Sequence, residues 1–219
     1  MCDFHNHDHL QPLEEDQYIL DTEYVRAFIQ HVKHAIETQP TTKAASEALR
    51  PAFAGLLSER DWLPAQFQND VSDSGMGGGI GQWLLYRSAD RSLCLFSLVV
   101  PPGEKTPIHD HLAWGLIGIY RGSQNEEIYR PGSDSIELVR KRPLDPGDHY
   151  VLLPPLDDVH CVRTTSDTTS VSIHLLANDT GCVERHTFDE HTGEAKPFRS
   201  GYANAVCRAS EVLTTADCT

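Results

Sequence analysis

Positive charge is scarce in this chain: 18 Lys plus Arg stand against 32 Asp plus Glu, a formal charge of -14. Such a balance repels nucleic acid and anionic membrane at long range, so neither is an expected partner. An anionic substrate would need arginines placed locally. No apolar run approaches the length of a membrane span. The N-terminal Met1-Cys-Asp-Phe-His-Asn-His lacks the basic stretch and apolar core of a signal peptide. A cytoplasmic protein, monomeric or a small homo-oligomer, is the expectation. Six cysteines, at positions 2, 94, 161, 182, 207 and 218, show no CxxC spacing, and reduced thiols are expected rather than bridges. Cys94 and Cys161 lie in strand-like runs and should pack as small hydrophobes. The glycine-rich stretch from Ser74 to Gly81 lacks the Lys-Ser/Thr ending and following helix of a phosphate loop, and reads as a flexible connector.

What the chain does have is enough apolar content, 39% of 219 residues, to bury one domain's core. Residues 1–20 are polar and acidic, with His5, His7 and His9 alternating, and read as a flexible solvated tail. From Asp21, a plausible cap, Val25, Phe28, Ile29, Val32 and Ile36 recur at helical spacing, predicting a helix to about Thr38. His31 and His34 on it read as surface residues. A second helix follows Thr41, with Ala45, Ala48, Leu49, Phe53, Leu56 and Leu57 on one side and Pro51 placed to kink or divide it. Residues 21–73 thus form a helical decoration. Beyond it, short runs rich in Val, Ile, Leu, Tyr and Thr are punctuated by Gly, Pro, Asp and Asn: 82–88, 92–100, 113–121, 125–130, 135–142, 149–153, 158–164, 168–176 and 181–190. Regularly spaced strands without intervening helices indicate a sandwich or barrel, here spanning 82–204 and followed by a C-terminal tail, 205–219. Arg87 and Arg91 flank a turn and read as solvated charges.

The chemistry concentrates in Gly103-Glu-Lys-Thr-Pro-Ile-His109-Asp-His111. Two imidazoles two residues apart in a strand face the same side and can grip one metal ion. A third, His160, ends Pro154-Pro155-Leu-Asp-Asp-Val-His160 after a turn at Gly147. Three neutral imidazoles leave about three positions open on a six-coordinate iron, which suits a redox metal that binds substrate and oxygen together.

The order Gly, five residues, His-x-His, then Gly122, then Pro155-x-Asp157-x-x-His160 resembles the two motifs of the cupin superfamily. The fold this implies is mainly β: a double-stranded β-helix, or jelly-roll barrel, with two or three N-terminal helices packed on it. The usual first motif has a glutamate three or four residues after the second histidine, where this chain has Gly115 and Leu116. Without that carboxylate the charge of a divalent iron is uncompensated, favouring an anionic ligand such as thiolate.

A three-histidine cupin of this kind resembles the thiol dioxygenases of the cysteine dioxygenase type, over most of the chain from Asp61 to Asn204. Asp61-Trp-Leu-Pro64, Pro107-Ile-His-Asp-His-Leu-Ala-Trp-Gly-Leu-Ile-Gly118, Asp158-Val-His160, Ser172-Ile-His174 and Lys196-Pro-Phe-Arg-Ser-Gly-Tyr-Ala-Asn204 are similar to the bacterial 3-mercaptopropionate dioxygenase branch. The resemblance implies Fe(2+) as cofactor, a small thiol carboxylate and O2 as substrates, a sulfinic acid as product, and His109, His111 and His160 as ligands. Gln82 matches the branch's glutamine, and Arg185 an arginine that holds the substrate carboxylate. Ser172 and His174 match two members of a Ser-x-His-x-Tyr relay whose tyrosine is here Leu176, so an apolar wall replaces a phenol donor. Gly115 excludes the cysteine–tyrosine cross-link of the mammalian enzymes. Altered substrate is the first consequence expected of Leu176; metal-assisted lyase, isomerase or hydrolase chemistry and a turnover-less small-molecule sensor are the alternatives. Tyr202 is a candidate to supply the missing hydroxyl. Trp114 is expected to face the N-terminal helices, and His149, His186 and His191 to lie at the surface without a role.

Overall fold

The computed structural model describes residues 10–72, 75–132 and 135–207. His5, His7 and His9 lie outside these residues, as does most of the expected C-terminal tail.

Two helices precede the long strands. The helix α1, Glu23–Thr38, is capped by Thr22, whose hydroxyl accepts from Val25 N at 3.2 Å. Asp21, the expected cap, instead accepts from Arg26. The helix buries Val25, Phe28, Ile29 and Val32, while Ile36 at the same spacing stays on the exposed side because the helix outruns the surface it covers. The helix α2, Thr42–Ser58, starts from a Thr41 cap and runs through Pro51 without dividing. A short 3-10 turn, Ala65–Gln68, follows. Among the described residues no helix is long and apolar enough to cross a membrane.

Among the described residues twelve strands, the first of them ahead of α1, build two antiparallel sheets: β1 Gln17–Tyr18, β2 Gly81–Arg87, β3 Cys94–Val100, β4 Ile108–His109, β5 Gly115–Arg121, β6 Gln124–Pro131, β7 Ile136–Leu144, β8 His149–Leu152, β9 His160–Thr164, β10 Ser170–Leu176, β11 Arg185–Phe188 and β12 Ala195–Phe198. The sheet orders are β1-β2-β3-β10-β5-β8 and β12-β11-β4-β9-β6-β7. From β3 to β10 the pairing is nested: β6 with β7, β5 with β8, β4 with β9, β3 with β10. This is one long hairpin rolled so that its successive segments alternate between sheets, which is a double-stranded β-helix, or jelly roll. The additional strands extend the two edges.

The two faces of the first sheet do different jobs. Leu85, Leu95, Val99, Leu116, Val171, Ile173 and Leu175 point outward and share an apolar cluster with Val32, Leu49, Phe53 and Leu57 of the helices. Phe96, Leu98, Ile117, Ile119 and Leu176 point inward against Leu144, Tyr150, Leu152 and Val162. Period-two alternation explains this division. Trp114, just before β5, is not a member of the helix-facing cluster among the described residues. The aromatic bridge to the helical layer is made by Tyr120 on Trp62, with ring centroids 6.0 Å apart.

Three further expectations need correction. Residues 10–20 are packed rather than loose: Leu10 and Leu20 are buried, and Gln17–Tyr18 pairs with β2. Cys182 and Cys207 form a disulfide with Cα atoms 5.3 Å apart, because the C-terminal segment returns to the β10–β11 loop; Cys94 and Cys161 are free and buried, as their strand positions suggest. Arg87 and Arg91 are buried, not solvated, because the Asp179 carboxylate sits between them. Arg87 Nη1 lies 3.3 Å from Asp179 Oδ2, Arg91 Nη1 donates to the same oxygen, and Tyr202 donates its hydroxyl to Oδ1 at 2.8 Å. Removing the carboxylate takes away the buried anion that both guanidinium ions share. Asp179→Asn should therefore cost about 3 kcal/mol or more of stability in urea denaturation; a loss under about 1 kcal/mol, within the range of an exposed ion pair, would mean the cluster is effectively solvated.

Candidate metal centre

The nested pairing of β4 with β9 sets His109 directly opposite His160 in the ladder. His111 lies past the end of β4, not within a strand as its spacing suggested. The chain there turns through Leu112, which adopts a positive φ of 55°. A non-glycine residue rarely takes this conformation unless its surroundings enforce it. The buried Asp158 carboxylate supplies the enforcement, accepting from His111 N at 3.0 Å and Leu112 N at 3.2 Å. Since Asp158 sits two residues before His160, one short segment supplies one histidine of the cluster and fixes the turn that aims another.

His109, His111 and His160 are all buried, and one nitrogen from each lies within 4.8 Å of the others. Ring centroids stand 5.0 Å apart for His109 and His111, 4.9 Å for His109 and His160, and 4.7 Å for His111 and His160. The far nitrogens of two rings are committed. His109 Nδ1 lies 2.9 Å from Pro107 O, and His160 Nδ1 lies 2.7 Å from Glu126 Oε1. Carbonyl and carboxylate oxygens can only accept, so both Nδ1 atoms carry hydrogen, and Nε2 is the nitrogen each ring can offer to a metal. His111 Nδ1 faces Asp158 Oδ1 at 3.4 Å. This donor set fits one divalent transition ion held by imidazoles, with no carboxylate among its ligands.

Glu126 escaped the sequence reading, although it is fully buried on β6. Besides His160, it accepts from Tyr150 Oη at 2.6 Å and faces Arg142 Nε at 3.2 Å. Burial pushes its pKa up, but the His160, Arg142 and Tyr150 contacts outweigh that and hold it below the ordinary glutamate value. The group is a carboxylate that orients the His160 ring through Nδ1, the arrangement in which an outer carboxylate would aim the other ring nitrogen at a metal. Its only trace in the sequence is the run Glu126-Glu127 in a strand, where alternation must turn one carboxylate inward.

The remaining expected residues fall in three places. Ser172 Oγ and His174 Nε2 lie 2.9 Å apart on β10, and the His174 ring stacks on Phe96 with centroids 4.7 Å apart. Leu176 is fully buried on the same strand, opposite Gly115 of β5; a Cβ added at Gly115 would come within 2.5 Å of Leu176 Cδ2. The pair leaves no room for a side chain at 115. Arg185 is buried and donates from Nη1 to Asp110 O at 2.7 Å, from Nη2 to Ser200 Oγ at 2.7 Å and from Nε to Thr180 O at 3.3 Å. It thus grips the backbone between the two histidines of the His-x-His pair. Gln82 is buried on β2 and lines a cavity of about 330 Å³ together with Ile80, Ser200, Tyr202 and Cys207. Tyr202 does not offer a free hydroxyl, since Asp179 accepts it. A larger cavity, about 600 Å³, lies by Leu57, Arg60, Tyr120 and Gly147, and none of the three histidines lines either cavity. Of the histidines expected to have no role, His186 is half-exposed but places Nδ1 2.7 Å from Asp110 Oδ2.

No protein-family model matches the chain. Among solved structures it is similar to a recombinant oxalate oxidase in complex with glycolate, at 15% identity over 51% of this chain and 56% of that one, TM-score 0.39. An RmlC-like cupin with a double-stranded β-helix fold from Methanocaldococcus jannaschii matches at 12% identity over 48% and 84%, TM-score 0.37. The oxalate decarboxylase of Lactobacillus farciminis matches at 16% identity over 41% and 25%, TM-score 0.34. The chain therefore spans about half of the oxidase and a quarter of the decarboxylase. Likeness at these scores carries no argument; the fold rests on the nested strand pairing.

Two measurements check the electrostatics of the centre. Burial, then the neighbouring imidazoles, pushes His109, His111 and His174 well below the usual 6.5. Below that pH the unfolded chain takes up protons that the native state refuses. Stability of the metal-free protein should fall as pH drops from about 6.5, by up to ~1.4 kcal/mol per pH unit for each imidazole; a flat profile between pH 6.5 and 5 would contradict it. Glu126→Gln should weaken metal affinity about 10- to 100-fold in a chelator competition assay, and unchanged affinity would remove Glu126 from the site.

Proposed function

We propose that the chain is a non-heme iron thiol dioxygenase that converts a small thiol carboxylate and O2 to the sulfinic acid. The observation that carries this reading is the buried set of three imidazoles, with Gly115 and Leu116 where cupins usually place a carboxylate ligand. Ferrous iron bound there would supply open coordination positions and the electron transfer that joins thiolate and oxygen. Atoms balance without a co-reductant: RSH and O2 give RSO2H, with the electrons coming from sulfur.

The chain's own residues then have defined tasks. Three of the five N–H groups of Arg185 are spent on Asp110, Thr180 and Ser200, which leaves two for a substrate carboxylate. Burial lowers the arginine to a pKa of about 10, so it remains a cation at neutral pH, in a setting where an anionic partner gains most. Asp110, whose carbonyl holds the guanidinium, also lies between two ligands. Carboxylate binding and metal binding therefore share one piece of backbone. Ser172 fixes the ring of His174, while Leu176 presents methyl groups where the resembling enzymes present a phenol. This favours a substrate with more apolar surface than 3-mercaptopropionate. Gln82, buried and lining the cavity of about 330 Å³, is the second polar contact for substrate in this reading.

Leu176 also supports a second reading. Without the phenol, the same ligands suit a metal acting as Lewis acid in lyase, isomerase or hydrolase chemistry. The two readings separate in one assay series: anaerobic loading with Fe(2+), then oxygen uptake and sulfinate formation over a panel of thiol carboxylates. Dioxygenase activity predicts one O2 consumed per sulfinate formed. No uptake with any thiol, together with turnover under zinc or manganese, would establish the alternative. Leu176→Tyr should raise turnover of 3-mercaptopropionate by about tenfold or more if the substitution marks a change of substrate; no gain would show that the leucine does not set selectivity.

A further inference from the structure

The chain that leaves β12, Ser200–Cys207, belongs to neither sheet, yet it is tied down along its length. Gly201 N donates to Gly181 O at 2.9 Å, and Ala203 N donates to Gln82 O at 2.8 Å. Asn204 exchanges two side-chain bonds with the Leu84 backbone, each 2.9 Å. Tyr202 reaches Asp179, and Cys207 is bonded to Cys182. Two glycines make room for this strap. A Cβ at Gly75 would lie 2.5 Å from Ser200 O, and one at Gly181 would lie 2.4 Å from the Tyr202 ring.

The strap touches the site at one atom that matters. Arg185 has three acceptors, of which Asp110 O and Thr180 O are backbone of the barrel and its loop. The third, Ser200 Oγ, is the strap's and takes Nη2 at 2.7 Å. A buried guanidinium turns to where its acceptors are, so this hydroxyl decides which N–H groups remain for a carboxylate. We propose that the Ser200–Cys207 strap positions Arg185 for the substrate carboxylate through Ser200 Oγ, and that the Cys182–Cys207 disulfide holds the strap in place. This rests on the role given to Arg185 above. Ser200 is a positioning residue.

The clasp makes that positioning sensitive to thiol status. It closes by exchange with a low-molecular-weight disulfide, RSSR: two protein thiols lose two electrons and two protons, the protein S–S bond forms, and two RSH are released. Opening is the reverse, with a thiol as reductant. Arg87 Nη1, 3.8 Å from Cys182 Sγ, stands where it favours the thiolate that opening produces.

The test is anaerobic titration of the iron-loaded protein with 3-mercaptopropionate and, as a carboxylate-free probe, ethanethiol. Ser200→Ala should weaken 3-mercaptopropionate binding about tenfold, the scale of one lost hydrogen bond to a charged group, and leave ethanethiol unchanged. Ser200→Thr should restore the carboxylate preference, and Cys207→Ser should reproduce its loss. A preference that survives Ser200→Ala overturns the proposal while leaving the role of Arg185 intact. One that falls in Ser200→Ala but survives Cys207→Ser overturns the part given to the disulfide. An equal loss for both probes shows a merely structural strap and overturns it as well. A wild-type protein that binds both probes alike overturns the proposal together with the reading of Arg185.

Discussion

Everything at the site depends on one backbone register, the pairing of His109 on β4 with His160 on β9. It is one turn of a rolled hairpin whose other turns pair β6 with β7, β5 with β8 and β3 with β10. Side-chain period is two, so a slip of one residue in any turn would send a ligand to the opposite face. The apolar alternation that buries Leu116 against the helices and Ile117 in the barrel fixes the register of β5 with β8 and β10 in the facing sheet. The metal centre and the core are therefore specified together.

Within that register the polar groups are arranged so that few buried charges stand alone. Glu126 meets Arg142 and Tyr150 as well as His160; Asp158 spends its oxygens on two backbone N–H groups; Asp179 lies between Arg87 and Arg91. Each carboxylate occupies a place where the backbone or a ligand needs holding. In a chain with so large an excess of acid, this is how acidic residues enter an interior without costing its stability. Burial disfavours the charged forms of His109 and His111, and the Nδ1 atoms of His109 and His160 donate to Pro107 O and Glu126, away from the centre of the cluster.

Much of this was legible beforehand, for physical reasons. Val25, Phe28, Ile29 and Val32 declare α1 because a helix buried on one side has a period near 3.6. The runs at 92–100 and 168–176 declare β3 and β10, and the His-x-His spacing declares two of the three clustered imidazoles. What escaped depends on who meets whom across the fold. The strand β4 has two residues and no periodicity to show, and β12 carries Pro197 at a sheet edge. Arg87 and Arg91 look solvated until Asp179, far along the chain, is placed between them. Cys182 and Cys207 carry no spacing signal. Glu126 is indistinguishable from Glu127 until the strand's facing is known. The three histidines singled out by the motifs do lie together as one buried cluster, while the hydroxyl expected of Tyr202 is engaged by Asp179.

The central claim is a single transition ion held by three neutral imidazoles and no carboxylate. Anomalous diffraction at the iron edge, from crystals of protein loaded anaerobically with Fe(2+), tests it most directly. The account predicts one peak, shared by Nε2 of His109, His111 and His160, with Glu126 and Asp158 outside ligand distance. A peak elsewhere, a ligating carboxylate, or no peak at the triad would contradict it.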